Sequence, residues 1–234
     1  MLTGHAPAQI RARHGDFDHW LRVAMGLPRT AIRVIDVARG ERLPAPGELS
    51  GAVISGSAAM VTERAAWSEN AAGWIRDAMD AELPLFGVCY GHQLMAHALG
   101  GRVDYLPVRE IGTRDVRRTD ADGCDMLPSM FPAHTTHRQS VMELPATASV
   151  LARSELDSHQ YVRYGTHAWS TQFHPEFSVA VMRAYLRLRA PQLREEGLDT
   201  LALLTATSPT PQARNLLRRF VRMAMTRANT TPAT

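Results

Sequence analysis

Cysteine is almost absent from this chain: two occur in 234 residues, Cys89 and Cys124, with no paired spacing. That argues against a disulfide framework and a thiolate zinc site, and it fits a reducing compartment, read here as the cytoplasm. Long apolar runs are missing too. No stretch approaches the ~20 residues needed to cross a bilayer, and the N-terminus has no basic-then-apolar signal pattern. Charge is close to balanced at +3, with the arginines dispersed rather than blocked, which argues against a nucleic-acid partner. Neither a Gly-rich phosphate loop of the Walker type nor a Ser-Gly-Gly pyrophosphatase-like loop is found. What is present, 45% hydrophobic residues, suffices for one good core with a tail, and hardly for two full domains.

The most informative stretch runs from Pro84 to Val103. Pro84-Leu85-Phe86-Gly87-Val88 is a short apolar run, read as a buried strand leading into a tight turn at Cys89. From Gln93 the period changes to about 3.6, and Leu94, Met95, Ala98 and Leu99 make a helical stripe that stops at Gly100-Gly101. Strand, reactive residue between Gly87 and Gly91, then helix is a nucleophile-elbow pattern. The glycines let strand, turn and helix approach closely. A thiol at a helix N-terminus also feels the positive end of the dipole, which favours the thiolate. The plainer alternative is a buried structural cysteine beside a glycine turn.

Elsewhere strands and helices alternate. A helix is expected over Ala8 to Met25, with His14, Asp18 and His19 as solvated or capping groups, since no ligand spacing supports a metal. Ile32–Val37 and Gly51–Ile54 read as strands around a Pro/Gly-rich loop, and Ser55-Gly56-Ser57 as a bend at a strand end. A helix is expected over Glu63–Met79. This order predicts an α/β fold with a mostly parallel open sheet, function lying at the carboxyl ends of its strands. Beyond Arg102 the pattern shifts to short strands, Val103–Val108, Thr113–Arg118, Ser149–Ala152 and Tyr161–Tyr164, an antiparallel extension. A polar break at Thr119–Asp125 holds Cys124, read as incidental, and Ala133–Val141 reads as a polar loop. Its His134 and His137 lack a third ligand, so no metal is expected there.

His167–Phe173 alternates like a strand and runs into His174-Pro175-Glu176. Proline keeps the preceding residue extended, and residues two apart in an extended chain point the same way. Glu176 can therefore accept the imidazole N–H of His174, supplying the base and orienter of a Cys–His–Glu relay. Ser178–Arg189 reads as a helix, Ala190–Thr207 as a hinge-like stretch with some helix, and Ser208-Pro209 as the start of a last helix. That helix has Leu216, Leu217, Phe220, Val221 and Ala224 on one face, for packing on the body or for a partner, and ends in a polar tail from Thr226.

Together, GVCYGHQ with its following Gly-Gly, ISGS after a strand and QFHPE resemble the class I glutamine amidotransferase domain over roughly Ala31–Phe177, in its stand-alone, GMP-synthase-like form. The resemblance implies a flavodoxin-like sheet in residues 1–190, with 191–234 as a C-terminal helical extension. It implies Cys89 as nucleophile, His174 as base and acid, and Glu176 as its orienter. The oxyanion hole would be the backbone N–H groups of Ser57 and Tyr90. Gly56, Gln93 and the backbone of Thr136, His137 and Arg138 would hold the substrate. Arg138 and Gln139 depart from the family's His-Gly-Asp segment, and Ser57 stands where many members have glycine. The family fold opens with a strand just before a segment like Thr3-Gly4, and here only Met1-Leu2 precede it; the strand is cut short or the true start lies upstream. The implied reaction needs no cofactor or metal and takes glutamine, with the ammonia either released or passed to a separate partner such as a synthetase subunit. The rival readings are a γ-glutamyl peptidase on glutathione-like compounds and a non-catalytic binding module. Oligomeric state is left open.

Overall fold

The computed structural model describes residues 1–120 and 127–230, so Cys124 lies outside the described residues. Seven strands form one sheet in the order β1-β2-β7-β6-β5-β3-β4. They are β1 (Ala52–Ile54), β2 (Leu85–Val88), β3 (Arg102–Arg118), β4 (Met130–Glu143), β5 (Ser149–Arg153), β6 (Tyr161–Arg163) and β7 (Ala168–Thr171). β1, β2 and β7 pair in parallel, and the antiparallel strands continue the sheet from β7. Ile54 sits opposite Gly87 and Val88 opposite Thr171, so the three parallel strands end at one edge.

β2 is buried on both faces, as a central parallel strand must be. Leu85 joins a core with Ile54, Ile75 and Leu94 under α3 (Ala66–Asp80) and α4 (Tyr90–Ala98). Phe86 and Val88 point the other way, onto Leu21 of α2 (Phe17–Met25) and Leu216, Leu217 and Phe220 of α8 (Pro211–Thr230). The apolar stripe of α8 thus packs on the body. α1 (Ala8–His14) lies against α5 (Val179–Leu188), with α6 (Ala190–Glu195) and α7 (Thr200–Ala206) following. No helix among the described residues is long and apolar enough to cross a membrane.

Several local expectations are corrected. The first helix is two, because Gly15 takes φ 81 and Asp16 then caps α2 by accepting from Phe17 N. Ile32–Val37 is not a strand: it makes a single isolated bridge, Leu2 with Asp36. Met1 and Leu2 sit between that segment and β1, with Leu2 N donating to Ile35 O at 2.8 Å and Ser55 N to Met1 O at 3.1 Å. β3 is continuous across the break expected between Val108 and Thr113, with a register irregularity between Tyr105 and Glu110. The Ala133–Val141 loop is instead the middle of the fourteen-residue β4, paired along β3. Its polar side chains are buried against other polar groups, so the apolar alternation that marks a strand is missing. The last helix begins at Pro211 rather than at Ser208-Pro209 and continues through Thr226–Thr230, in place of the expected tail.

Candidate active site

Cys89 follows β2 and precedes α4 with φ 51 and ψ −98, a left-handed backbone that non-glycine residues seldom adopt and that concentrates at functional sites. Its N–H donates to Thr171 O at 2.8 Å, which ties the turn to the end of β7. The flanking glycines are required by space. A Cβ on Gly91 would lie 2.5 Å from Ile54 O, and one on Gly87 2.6 Å from Gly91 O.

From the end of β7, His174 is pinned by its own N–H, which donates to His134 O at 2.7 Å. Its Nδ1 lies 2.7 Å from Glu176 Oε1, both side chains being buried. Nε2 makes no conventional hydrogen bond, and the Cys89 side chain interacts directly with the ring. Burial opposes a charge on this imidazole, but the Glu176 carboxylate and the Cys89 sulfur outweigh it and raise His174 to about 10. The ring stacks on Phe177 at 4.1 Å, and Phe17 lies parallel at 6.4 Å. A Cβ on Gly56 would meet His174 Cε1 at 3.0 Å and Cys89 Cβ at 3.7 Å, so the Ser55–Ser57 bend lies against both.

Among the described residues, the main-chain N–H groups of Ser57 and Tyr90 donate to no protein acceptor. Tyr90 offers only its main chain, since its hydroxyl bonds Ser68 Oγ at 2.6 Å and burial pushes the phenol up to about 12. Gln93 is buried, its Nε2 donating to Gln139 O at 2.6 Å and to Gln172 Oε1 at 2.9 Å. It joins β4 to the segment after β7. Thr136 is half-buried with an enclosed, unpartnered hydroxyl, and Arg138 is exposed.

The His137 side chain lies in a second buried cluster. Its Nε2 lies 3.2 Å from Asp157 Oδ2 and 3.3 Å from Glu110 Oε2. These three form the one group among the described residues that could hold a cation, their ligand atoms lying within 4.8 Å of one another. His134 is not part of it; its Nδ1 lies 3.2 Å from Thr113 Oγ1. Protein donors already engage both carboxylates: Ser140 Oγ at 2.6 Å from Asp157 and Gln160 Nε2 at 2.6 Å from Glu110. Burial raises Glu110, with His137 only partly offsetting it. Burial would raise Asp157 too, but His137, Ser140 and the His159 N–H outweigh it and hold that carboxyl near 2.

Because its folded value is depressed, Asp157 contributes stability that is fully present above its unfolded value of about 4 and lost as pH falls through 2. Asp157→Asn is expected to flatten the loss of stability between those pH values by about 2 kcal/mol relative to the parent, read from urea midpoints. Equal slopes would remove this carboxylate from the acid response.

Sequence reasoning did not anticipate Phe17 and Phe177 flanking the His174 ring, or Arg109 pairing with Glu196 at 2.8 and 3.0 Å across 87 residues. Phe177 adjoins the His-Pro-Glu run, and that adjacency is a usable signal; the arginine pair has no local one.

The family pattern described as Glutamine amidotransferase class-I matches residues 32–189. The chain belongs to the class I glutamine amidotransferase family. It is 35% identical over 169 residues to a glutamine-hydrolyzing GMP synthase subunit from Methanopyrus kandleri, covering 70% of this chain and 85% of that one. It is 32% identical over 140 residues to the glutamine-hydrolyzing GMP synthase of Aeropyrum pernix, covering 59% of this chain but only 26% of that longer protein. In fold it is similar to a glutamine amidotransferase from Thermotoga maritima, with TM-score 0.73, 21% identity and 98% of each chain covered.

Proposed function

We propose that this amidotransferase hydrolyses glutamine through a Cys89 γ-glutamyl thioester, with His174 and Glu176 completing the relay. The observation that carries this is the meeting of a strained, glycine-flanked cysteine with a carboxylate-bound imidazole at the carboxyl edge of the parallel strands. The Cys89 thiolate attacks the γ-carbonyl of glutamine. The N–H groups of Ser57 and Tyr90 stabilise the oxyanion, a contribution of about 2.7–4 kcal/mol per donor in a comparable hydrolase site. His174 protonates the departing ammonia, then takes a proton from the water that cleaves the thioester. Glutamate and ammonia leave. The Methanopyrus kandleri relative is named for one subunit of a GMP synthase, which supports a separate synthetase subunit that receives the ammonia.

The pH profile tests the relay. The His174 proton needed by the leaving nitrogen is present below about pH 10 and lost above it. The alkaline limb of kcat/KM for ammonia release from glutamine is therefore expected far above the usual imidazole range of about 6.5. Glu176→Gln removes the carboxylate that raises His174, so the limb moves toward neutrality and kcat falls. An alkaline limb unmoved by Glu176→Gln would overturn the assigned role of that carboxylate.

A further inference from the structure

A cavity of about 640 Å³ is bordered by none of Cys89, His174 and Glu176. It lies between the second half of β3, Pro132 of β4, the residues that follow β5 and the link from α7 to α8. Arg114 and Arg117 border it from β3, and Arg153 from the end of β5. Thr113, Ser154 and Ser208 border it too, and Ser208 N donates to Thr113 Oγ1 at 3.3 Å, which ties the link to the strand. A recess of this volume is the size of a small-molecule site.

Among the described residues, none of these three guanidiniums lies within ion-pair distance of a carboxylate. Arg117 and Arg153 are Cα partners across the antiparallel β3–β5 pair. Like charges placed opposite each other in a sheet destabilise it. Arg114 is half-buried, and its Nε is closed off from solvent without a hydrogen-bond partner. A buried donor left unmade is costly. The carboxylates on the border do not serve these cations. Glu110 Oε2 takes Gln160 Nε2 at 2.6 Å and faces His137 at 3.3 Å, while Asp115 and Glu155 are exposed. An anion from outside the chain would relieve the opposed charges and the orphaned donor together.

We propose that Arg114, Arg117 and Arg153 form a binding site for a small phosphate-bearing ligand, separate from the catalytic cleft. A phosphate monoester carries about 1.5 to 2 negative charges near pH 7 and three strong acceptor oxygens. Guanidinium forks match such oxygens bidentately, and three forks offer more donors than a carboxylate can accept. Pro132 and Leu156, on the same border, supply apolar surface for an organic group joined to the phosphate. Binding here is non-covalent and makes no demand on Cys89, so the site stands or falls apart from the hydrolase reading.

Titration calorimetry on the full chain tests it, with phenyl phosphate and inorganic phosphate as probes and benzoate as the carboxylate counterpart, all at one ionic strength. Saturable one-to-one binding of phenyl phosphate is expected, about tenfold or more tighter than benzoate. Arg117→Gln and Arg153→Gln should each weaken it by about tenfold, the effect of losing one charge-assisted contact. Both residues are exposed, so their variants decide the matter even where Arg114→Gln fails to fold. Arg13→Gln removes the same charge from an exposed position on α1 and should leave binding unchanged. Phenyl phosphate binding more tightly than inorganic phosphate supports the site with an ester as its ligand; equal binding supports it with the free ion. No saturable binding, equal affinity for benzoate, or affinity that Arg117→Gln and Arg153→Gln leave intact would overturn the site. An equal loss in Arg13→Gln would overturn it as well, since diffuse surface charge would then explain the binding. So would displacement of phenyl phosphate by saturating glutamine in the Cys89→Ala protein, which would put the anion in the catalytic cleft.

Discussion

Cys89→Ala is expected to slow glutamine hydrolysis by on the order of 10⁴-fold or more, the scale on which losing a nucleophile acts in hydrolases. Cys89 is buried at 7% exposure and acts on the charge of the His174 ring, and no other thiol lies among the described residues to take its place. Alanine keeps the Cβ and the backbone, so the φ of 51 is as strained in the variant as in the parent. Folding should therefore survive, as judged by an unchanged urea midpoint. The sulfur that helps raise His174 is gone. Glutamate and ammonia release, measured at saturating glutamine, decides it. Turnover at the parent rate in a folded Cys89→Ala protein would end the thioester mechanism.

Gly91→Ala should destabilise the fold by about 3 kcal/mol, at the upper end of overpacking effects. Its Cβ would stand 2.5 Å from Ile54 O and 2.9 Å from Ile54 Cβ. Backbone cannot yield as the tip of a side chain can, and Gly91 N already donates to Ser55 O at 3.1 Å. Separating α4 from β1 would also move the Ser55–Ser57 bend away from Cys89, so activity falls with stability. Gly47→Ala is the control, since nothing lies within 4 Å of its Cβ position and it should stay within about 0.5 kcal/mol of the parent. Urea midpoints that fall equally in both variants would contradict this account of the elbow glycines.

Local chemistry makes the elbow readable. A short apolar run, a cysteine between glycines and a helical stripe each act within a few residues, and the structure has β2, Cys89 and α4 there. The His174–Glu176 contact is equally local, because proline and an extended backbone fix their relative direction. β4 escapes such a reading for the opposite reason. Thr135, His137, Gln139 and Ser140 are buried polar residues whose partners lie on other segments: Glu110, Asp157, Thr62 and Gly112. A strand whose hydrophobic alternation is replaced by long-range polar pairing has no signature in its own residues.

By itself, the sequence determined the α/β alternation, the glycine-flanked cysteine turn, the imidazole–carboxylate pair and the family resemblance, all of which rest on neighbours within one or two elements. Only the tertiary structure decided that Phe17 and Phe177 lie along the His174 ring and that His137 faces Glu110 and Asp157. Those facts depend on the relative placement of β3, β4, α2 and α5, which is set by packing between elements far apart in the chain. Side-chain burial and charge pairing are properties of that placement, and no short stretch of residues encodes them.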